Sequence, residues 1–300
     1  MAAGPAVRRV ILIGAARSGT KVLRDSLARA TGAGAVPYDI GYVWRTGAGD
    51  HPDDVLDPRC LKQRDRRVIM TFVDKYASGS PPAVIEKTVG NAVRVPFVAA
   101  VFPDATFVHL VRDGIDVTES TFRQWKEPVD SRYLLQKARH FPLRMVPGYG
   151  RRYVVSALRR RLAPDGRVAS WGPRYPGMDA DLAAGDLLGV CARQWRESVV
   201  RARRDLEAAA VPFLDVRYED LVQSPAAQIA RIAEFCALPV PDESLAAAVS
   251  MVRPGSSGRG RRSLDAGQMR ALEVVIGDVQ AELGYPRPLE VGLPDAGSTA

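Results

Sequence analysis

The chain contains 300 residues, of which 46% are hydrophobic and 25% are charged. These proportions are ordinary for a globular protein, and they exclude a disordered chain, a collagen and a small scaffold held together by disulfides. The formal charge of +8 combines 42 basic with 34 acidic residues, and it indicates an anionic partner, whether nucleic acid, a membrane surface or a phosphorylated small molecule.

Apolar runs of strand length alternate along the chain with segments of helical periodicity. In chain order we predict a strand at 8–14, a helix at 21–31, a short strand at 35–40, a helix at 68–77, a strand at 83–86, a helix at 91–102, a strand at 106–111, helices at 116–125 and 182–209, a strand at 211–216 and a helix at 225–236. Nearly continuous apolar strands separated by helices predict an α/β fold: a parallel sheet of about five strands with helices on both faces, in a three-layer sandwich. In such folds ligands bind beyond the carboxyl ends of the strands.

One long segment, Pro128 to Asp181, interrupts this alternation with a basic, aromatic sequence that contains Gly and Pro. No linker divides the remainder of the chain. We therefore predict one domain over residues 1–285 with an insert at about 128–181. The Pro- and Gly-rich residues 286–300 are predicted to form a disordered tail.

The segment from Gly14 to Lys21, Gly-Ala-Ala-Arg-Ser-Gly-Thr-Lys, joins the first predicted strand to the first helix. Glycines five residues apart let successive N–H groups face inward, and the helix start adds partial positive charge, so we predict an anion-binding loop of the P-loop type. Loops that bind ATP with magnesium carry Lys directly after the second Gly and then Ser or Thr. Here Thr20 and Lys21 follow Gly19, and Val22 cannot bind a metal. The loop is therefore expected to bind phosphate without magnesium.

A second candidate anion site begins where the strand at 106–111 ends. Arg112 follows that strand directly, and Ser120 comes eight residues later, about two turns into the next helix. A guanidinium and a hydroxyl placed in this way can hold a second phosphate apart from the first. The alternative is a capped helix start with an arginine that faces solvent.

These segments resemble the sulfotransferases that use 3′-phosphoadenosine 5′-phosphosulfate (PAPS). In that family a loop similar to residues 17–20 binds the 5′-phosphosulfate, and an Arg and a Ser at the spacing of Arg112 and Ser120 bind the 3′-phosphate. The segment 86–88, Glu-Lys-Thr, is similar to the one in which the family places a lysine near the sulfuryl group. Phe-Pro-Asp-Ala at 102–105 is similar to a further sequence motif of that family.

Two later segments extend the resemblance. Val-Arg-Tyr-Glu-Asp-Leu at 216–221 is similar to a family motif, and residues 256–265 resemble the late loop that closes over the nucleotide. The resemblance implies PAPS as co-substrate, no metal, and Arg17 and Lys87 among the catalytic residues. The residues that it assigns to nucleotide binding are Arg17, Ser18, Gly19, Thr20, Lys21, Arg112, Ser120, Tyr218, Ser257 and Arg259. For Tyr218, packing in the core is an alternative.

An acceptor hydroxyl needs a base, and the sequence leaves several candidates. Family members with an Arg-Ser-Gly-Thr loop tend to use a carboxylate shortly after the first helix, and Asp39 lies at that place. A turn or capping role for Asp39 is the alternative. Val89 stands where other members carry a histidine just after Lys-Thr. His51 and His140 stay open as bases, whereas His109 lies inside a predicted strand and is expected to be structural.

The resemblance therefore implies metal-independent, in-line transfer of a sulfuryl group from PAPS to a hydroxyl. The acceptor stays open among a sugar, a small natural product, a lipid and a peptide, because its pocket is expected from the poorly matching segments 32–58 and 128–181. The runner-up function is a P-loop nucleoside or small-molecule kinase. A non-catalytic anion or nucleic-acid binding module is the third candidate, although no nucleic-acid motif is present and specific nucleic-acid binding is not expected.

Cysteine usage and hydropathy bear on the compartment. Cys60, Cys191 and Cys236 form no C-x-x-C pair, which favours a reducing compartment. No apolar run approaches the ~18 residues of a membrane span. We expect a soluble cytoplasmic protein. Its oligomeric state is left open.

Overall fold

The structure is a computed structural model that describes residues 6–48, 51–127, 172–253 and 257–290. One five-stranded parallel sheet lies at its centre, with the strand order β2-β3-β1-β4-β5. The strands are β1 (Arg8–Ile13), β2 (Gly34–Ala35), β3 (Ala83–Lys87), β4 (Thr106–Val111) and β5 (Phe213–Arg217). The predicted parallel sheet of about five strands is confirmed.

Helices connect the strands and continue beyond the last of them. The helices of the described residues are α1 (Thr20–Thr31), α2 (Gly41–Trp44), α3 (Gln63–Asp74), α4 (Val95–Val101), α5 (Gly114–Lys126), α6 (Met178–Ala183), α7 (Leu187–Ala208), α8 (Tyr218–Gln223), α9 (Pro225–Phe235), α10 (Asp242–Val249), α11 (Arg259–Ser263) and α12 (Ala266–Glu282). Short 3-10 turns occupy Pro58–Cys60 and Val89–Val93.

The two faces of the sheet have separate cores, because side chains of a strand alternate between faces. Ile11 and Ile13 of β1 pack with α3, α4 and α7. Val10 and Leu12 of the same strand pack with α1, α9 and α10 on the other face. Helices therefore cover both faces, and the predicted three-layer sandwich is confirmed.

The second strand is much shorter than the predicted 35–40. The N–H of Val36 donates to the carbonyl of Ile85 over 3.0 Å, and the next residue is Pro37, which has no N–H to offer to β3. The chain leaves the sheet there. Asp39 consequently lies in the turn between β2 and α2, and does not end a strand.

The predicted helix 182–209 is two helices. Gly185 lies between α6 and α7 with a φ of 80°, and the carboxylate of Asp186 caps α7 by accepting from the N–H of Gly189. The predicted helix 91–102 is likewise divided, into the 3-10 turn Val89–Val93 and α4, which has Pro96 in its first turn.

The predicted insert and tail are described only in part. Residues 128–171 and 291–300 lie outside the described residues, and so do Pro254 to Ser256. Of the segment after 285, Arg287 forms an ion pair with Glu273 of α12.

Candidate active site

Parallel strands bring their carboxyl ends to one edge of the sheet, and the predicted site residues lie at that edge. The predicted anion-binding loop, Gly14 to Lys21, is called the phosphate loop below, and it follows β1. Lys87 ends β3, Arg112 follows β4 and Tyr218 follows β5. The register pairs Leu12 with Lys87, so the lysine lies beside β1 two residues before the loop begins. Four motifs that are far apart in sequence thus meet in one place.

The phosphate loop contains two left-handed residues. Arg17 has a φ of 69° and Gly19 a φ of 92°, and α1 begins directly after them. The hydroxyl of Ser18 is buried and has no hydrogen-bond partner among the described residues. Because an unpaired buried hydroxyl is unfavourable, this oxygen and the free N–H groups at the start of α1 favour an anionic ligand at the loop.

Tyr218 packs directly against the loop. A Cβ atom on Gly19 would lie 2.5 Å from Cε2 of the Tyr218 ring, so only glycine fits here. The guanidinium of Arg112 lies over the same ring, 4.3 Å from its centroid. The ring is therefore a buried support for both the loop and Arg112.

The loop and the second anion motif are joined by hydrogen bonds. Arg17 donates from Nε to Ser120 Oγ over 3.0 Å, and Arg112 donates from Nη1 to the carbonyl of Arg17 over 3.1 Å. Burial lowers the pKa of Arg17, and the nearby charge of Arg123 lowers it further. These arginines lie close together, and Arg112 also lies 3.5 Å from Asp116, so the region combines positive charge with an acidic partner.

The described part of the late loop is hydrogen-bonded to Asp116, near the start of α5. Its two carboxylate oxygens accept from the N–H groups of Gly258 and Gly260, each over 2.7 Å. Gly260 approaches so closely that a Cβ there would lie 2.6 Å from the carbonyl oxygen of Ile115. This attachment places Arg259 at 4.0 Å from Glu119, next to Ser120. Ser257 lies in the described part of this loop, one residue before Gly258.

Lys87 and Asp39 form an ion pair with 2.9 Å between Nζ and Oδ1. The lysine side chain is mostly buried and that of Asp39 is about one-third exposed, at 12% and 30% of their full exposure. The structure therefore brings together the two side chains that the sequence predicts for sulfuryl transfer and proton removal.

Neither of the two histidines in the described ranges is hydrogen-bonded to Lys87 or Asp39. His51 Nδ1 lies 3.2 Å from the carbonyl oxygen of Asp53. His109 is buried in β4, with Nδ1 2.8 Å from Asp215 Oδ1, and this hydrogen bond lowers the pKa of Asp215. His140 falls within residues 128–171, which the structure does not describe.

Sequence reasoning missed the role of Glu86. This carboxylate directly precedes Lys87 in β3 and is fully buried, and burial raises its pKa to about 7. Thr88 Oγ1 donates to its Oε1 over 2.6 Å, Trp44 Nε1 donates to the same atom over 3.2 Å, and Asn91 Nδ2 donates to its Oε2 over 2.9 Å. A carboxylate inside an apolar strand was the available signal, because a buried charge needs such partners.

A groove of about 320 Å³ beside β5 is a separate feature. It is lined in part by Asp215, Arg217 and Arg231, and none of the predicted site residues borders it. Arg217 donates to the carbonyl of Leu283 and Arg231 donates to that of Asp215, so these arginines already have partners. We therefore place the candidate site at the strand ends.

The described part of the chain contains neither a cluster of metal ligands nor a membrane-spanning helix. No group of three or more His, Cys, Asp or Glu side chains there could hold a metal ion. No helix within the described ranges is long and apolar enough to cross a membrane.

Comparison with known families gives one match. The sequence model of the sulfotransferase family matches residues 48–170 and 174–242, which is more than half of the chain. The matched residues include Lys87, Arg112, Ser120 and Tyr218, whereas the phosphate loop precedes them. A search of the curated proteins finds no match to the chain.

Three of the solved structures to which the chain is similar are sulfotransferases. A sulfotransferase from Alicyclobacillus acidocaldarius is 13% identical, with a TM-score of 0.48 over 93% of this chain and 97% of that one. The sulfotransferase domain of the curacin biosynthetic pathway is 13% identical, with a TM-score of 0.49 over 97% and 100%. A mouse sulfotransferase determined with PAP is 14% identical, with a TM-score of 0.45 over 92% and 86%.

Proposed function

Because the chain belongs to the sulfotransferase family, we propose that it transfers the sulfuryl group of PAPS to a hydroxyl of an acceptor. The bond between sulfur and the bridging phosphate oxygen breaks, and a bond between sulfur and the acceptor oxygen forms. The products are a sulfate ester, a proton and 3′-phosphoadenosine 5′-phosphate (PAP). Negative charge builds on the leaving phosphate, so the protein has mainly to supply positive charge and alignment.

One observation carries the proposal: a lysine–carboxylate pair lies beside an anion-binding loop. Lys87 is paired in register with Leu12, two residues before the loop, and its Nζ lies 2.9 Å from Asp39 Oδ1. Sulfuryl transfer needs a cation near the transferring group and a base near the acceptor oxygen. A loop, a lysine and a carboxylate at one sheet edge meet those needs.

We assign the nucleotide to the loop and to the start of α5. The N–H groups of residues 19–21 and the buried Ser18 hydroxyl would bind the 5′-phosphosulfate, whereas the Ser18 N–H already donates to the carbonyl of Ala15. Arg112 and Ser120 would bind the 3′-phosphate, and Arg259 would approach from the late loop. Arg17 touches both regions through Ser120, so it is suited to neutralise charge at either phosphate.

Asp39 is proposed as the base, and Lys87 as the group that stabilises charge on the transferring sulfuryl group. Carboxylates in general are weak bases at neutral pH, so the proton is expected to leave the acceptor late, when the bond to the phosphate is already long. Lys87 would then exchange its contact with Asp39 for one with the sulfuryl oxygens.

The proposed acceptor is a hydroxyl compound, with sugars, small natural products, lipids and peptides as the classes to test. Sulfur-labelled PAPS is incubated with such a panel, and mass spectrometry detects a sulfated product. The Asp39→Asn variant is expected to lose this product. Asp104→Asn is the matched control, because that aspartate precedes β4 at the opposite edge of the sheet and is largely exposed.

A parallel assay with ATP and magnesium in place of PAPS tests the runner-up function, a kinase. Phosphorylation of an acceptor by ATP with magnesium, together with failure to bind PAP, would identify a kinase instead. Binding of PAP with no transfer to any acceptor class would leave only a nucleotide-binding protein.

A further inference from the structure

The residues that follow the two members of the ion pair are hydrogen-bonded to each other. Ile40 follows Asp39, and Thr88 follows Lys87. The N–H of Ile40 donates to Thr88 Oγ1 over 3.0 Å. This bond joins the turn after β2 to the end of β3, next to the 2.9 Å contact between Asp39 and Lys87.

Glu86 fixes the direction of the Thr88 hydroxyl. Ionised Glu86 can only accept hydrogen bonds, so the single proton of the Thr88 hydroxyl then points to Glu86 Oε1 over 2.6 Å, which leaves the lone pairs of Thr88 Oγ1 to accept from Ile40. Hydrogen bonds to a carboxylate are about twice as strong as bonds between neutral groups. The Thr88 side chain is buried, so water cannot readily replace either bond.

Glu86 itself is held by neighbours on two elements. Trp44 of α2 donates to its Oε1, and Asn91 of the 3-10 turn donates to its Oε2. Asn91 in turn accepts from Arg94 Nε over 2.9 Å, and Arg94 Nη1 lies 3.3 Å from Asp54 Oδ1. The carboxylate therefore has little freedom to move.

We propose that Glu86 and Thr88 are positioning residues that keep Asp39 beside Lys87 through the bond from Ile40. Only the statement that Asp39 and Lys87 take part in a reaction rests on the proposed function. The clamp itself, defined as the hydrogen-bonded set Glu86, Thr88 and Ile40, is a structural arrangement that can be tested without turnover. Neither Glu86 nor Thr88 is assigned a contact with PAPS or acceptor.

The test uses two substitutions at Thr88 in the full chain. Thr88→Val preserves the side-chain shape but removes the hydroxyl, and Thr88→Ser retains the hydroxyl. Crystal structures of both variants with PAP give the distance from Lys87 Nζ to Asp39 Oδ1. We expect hydrogen-bond distance in Thr88→Ser and in the unmodified protein, and a separation beyond about 4 Å in Thr88→Val.

Turnover of an acceptor by the same proteins provides the second readout. Misplacement of reacting groups by about 1 Å can lower the rate by about 10²-fold, so we expect kcat of Thr88→Val to fall by about 10- to 100-fold. Thr88→Ser should retain kcat within about threefold, and the Kd for PAP should change less than about twofold in both. A loss of stability alone would not lower kcat while leaving the Kd for PAP nearly unchanged.

A Thr88→Val structure in which Lys87 and Asp39 stay in hydrogen-bond contact would overturn the clamp, whatever its turnover. If the unmodified protein transfers no sulfuryl group, the proposed function fails, and the distance in the crystal structures still decides the clamp.

Discussion

Arg17 donates from Nε to Ser120 Oγ over 3.0 Å, so one side chain connects the phosphate loop with helix α5. Arg112 donates to the carbonyl of the same Arg17 from the end of β4. The protein's own side chains therefore hold the loop and α5 in one arrangement. Preorganised charge of this kind needs little rearrangement on binding, which favours affinity for a ligand with two phosphates.

The first prediction concerns recognition of the 3′-phosphate. PAP should bind and raise the melting temperature, because a ligand of the native state stabilises it by mass action. Arg112→Ala should abolish the preference for PAP over the analogue that lacks the 3′-phosphate, as measured by calorimetry. Arg203→Ala is the control, since that arginine pairs with Glu207 on the exposed side of α7. Equal binding of both analogues by the unmodified protein would contradict the assignment of Arg112 and Ser120.

The second prediction uses the left-handed backbone of Arg17. A residue with a side chain pays about 1 kcal/mol for a φ near 69°, and glycine does not. Arg17→Gly should therefore have a higher free energy of unfolding than Arg17→Ala, by about 1 kcal/mol. Both variants lose the guanidinium and should bind PAP equally poorly. Chemical denaturation measures the first quantity and calorimetry the second; equal stabilities of the two variants would refute the strain.

The third prediction concerns the ion pair. Asp39→Asn removes the basicity with little change of shape, and it should lower kcat by about 10²–10⁴-fold while PAP affinity is almost unchanged. Lys87→Ala should also lower kcat, with at most a modest loss of affinity. Because the two side chains are 2.9 Å apart, the losses should not add in the double variant. Near-normal turnover of Asp39→Asn at saturating substrates would remove it as the base, leaving His51 and His140 to test.

The fourth prediction concerns metals. Thr20 and Lys21 follow the second glycine of the loop, and Val22 offers no ligand for magnesium. Binding of PAPS and turnover should therefore survive excess EDTA. A requirement for a divalent cation in both assays would show that the loop works as in magnesium-dependent kinases.

The fifth prediction follows from the pKa of Glu86. Burial raises this pKa from 4.5 to about 7, so between these values the folded protein binds a proton that the unfolded chain has released. The stabilisation of the folded state by the protonated Glu86 is complete below pH 4.5, and it is lost as the pH rises to about 7. The loss should be about 3 kcal/mol, and Glu86→Gln should lack it. Denaturation of both proteins across this pH range measures the difference; parallel curves would refute the raised pKa.

Strand periodicity and motif order predict much of this molecule. The parallel sheet, its helices on both faces and the meeting of Lys87, Arg112 and the phosphate loop at one edge follow from local patterns, because parallel strands share a direction. Asp39 and Lys87 are both predicted as site residues from the resemblance, whereas their contact is a finding of the structure. The predicted strand at 35–40 is too long, because Pro37 has no N–H to donate to the sheet although its apolar neighbours suggest a longer strand.

Contacts between distant segments could not be predicted. The bond from Arg17 to Ser120 spans 103 residues, and those from Asp116 to Gly258 and Gly260 span more than 140. Each depends on how helices pack on the sheet, which no local pattern encodes. The partners of Glu86 were hidden for the same reason, since Trp44 reaches it from an element 42 residues away.

The contact between Gly19 and Tyr218 constrains the order in which this site can change during evolution. A side chain at position 19 meets the ring at once, so any replacement of Gly19 must be preceded by loss of the ring. Loss of the ring, however, removes the surface on which the Arg112 guanidinium lies. A lineage that replaces Gly19 therefore has to pass through a form in which Arg112, the residue proposed to bind the 3′-phosphate, has lost this support. The two positions are expected to vary together among descendants of this chain, although 199 residues separate them in sequence.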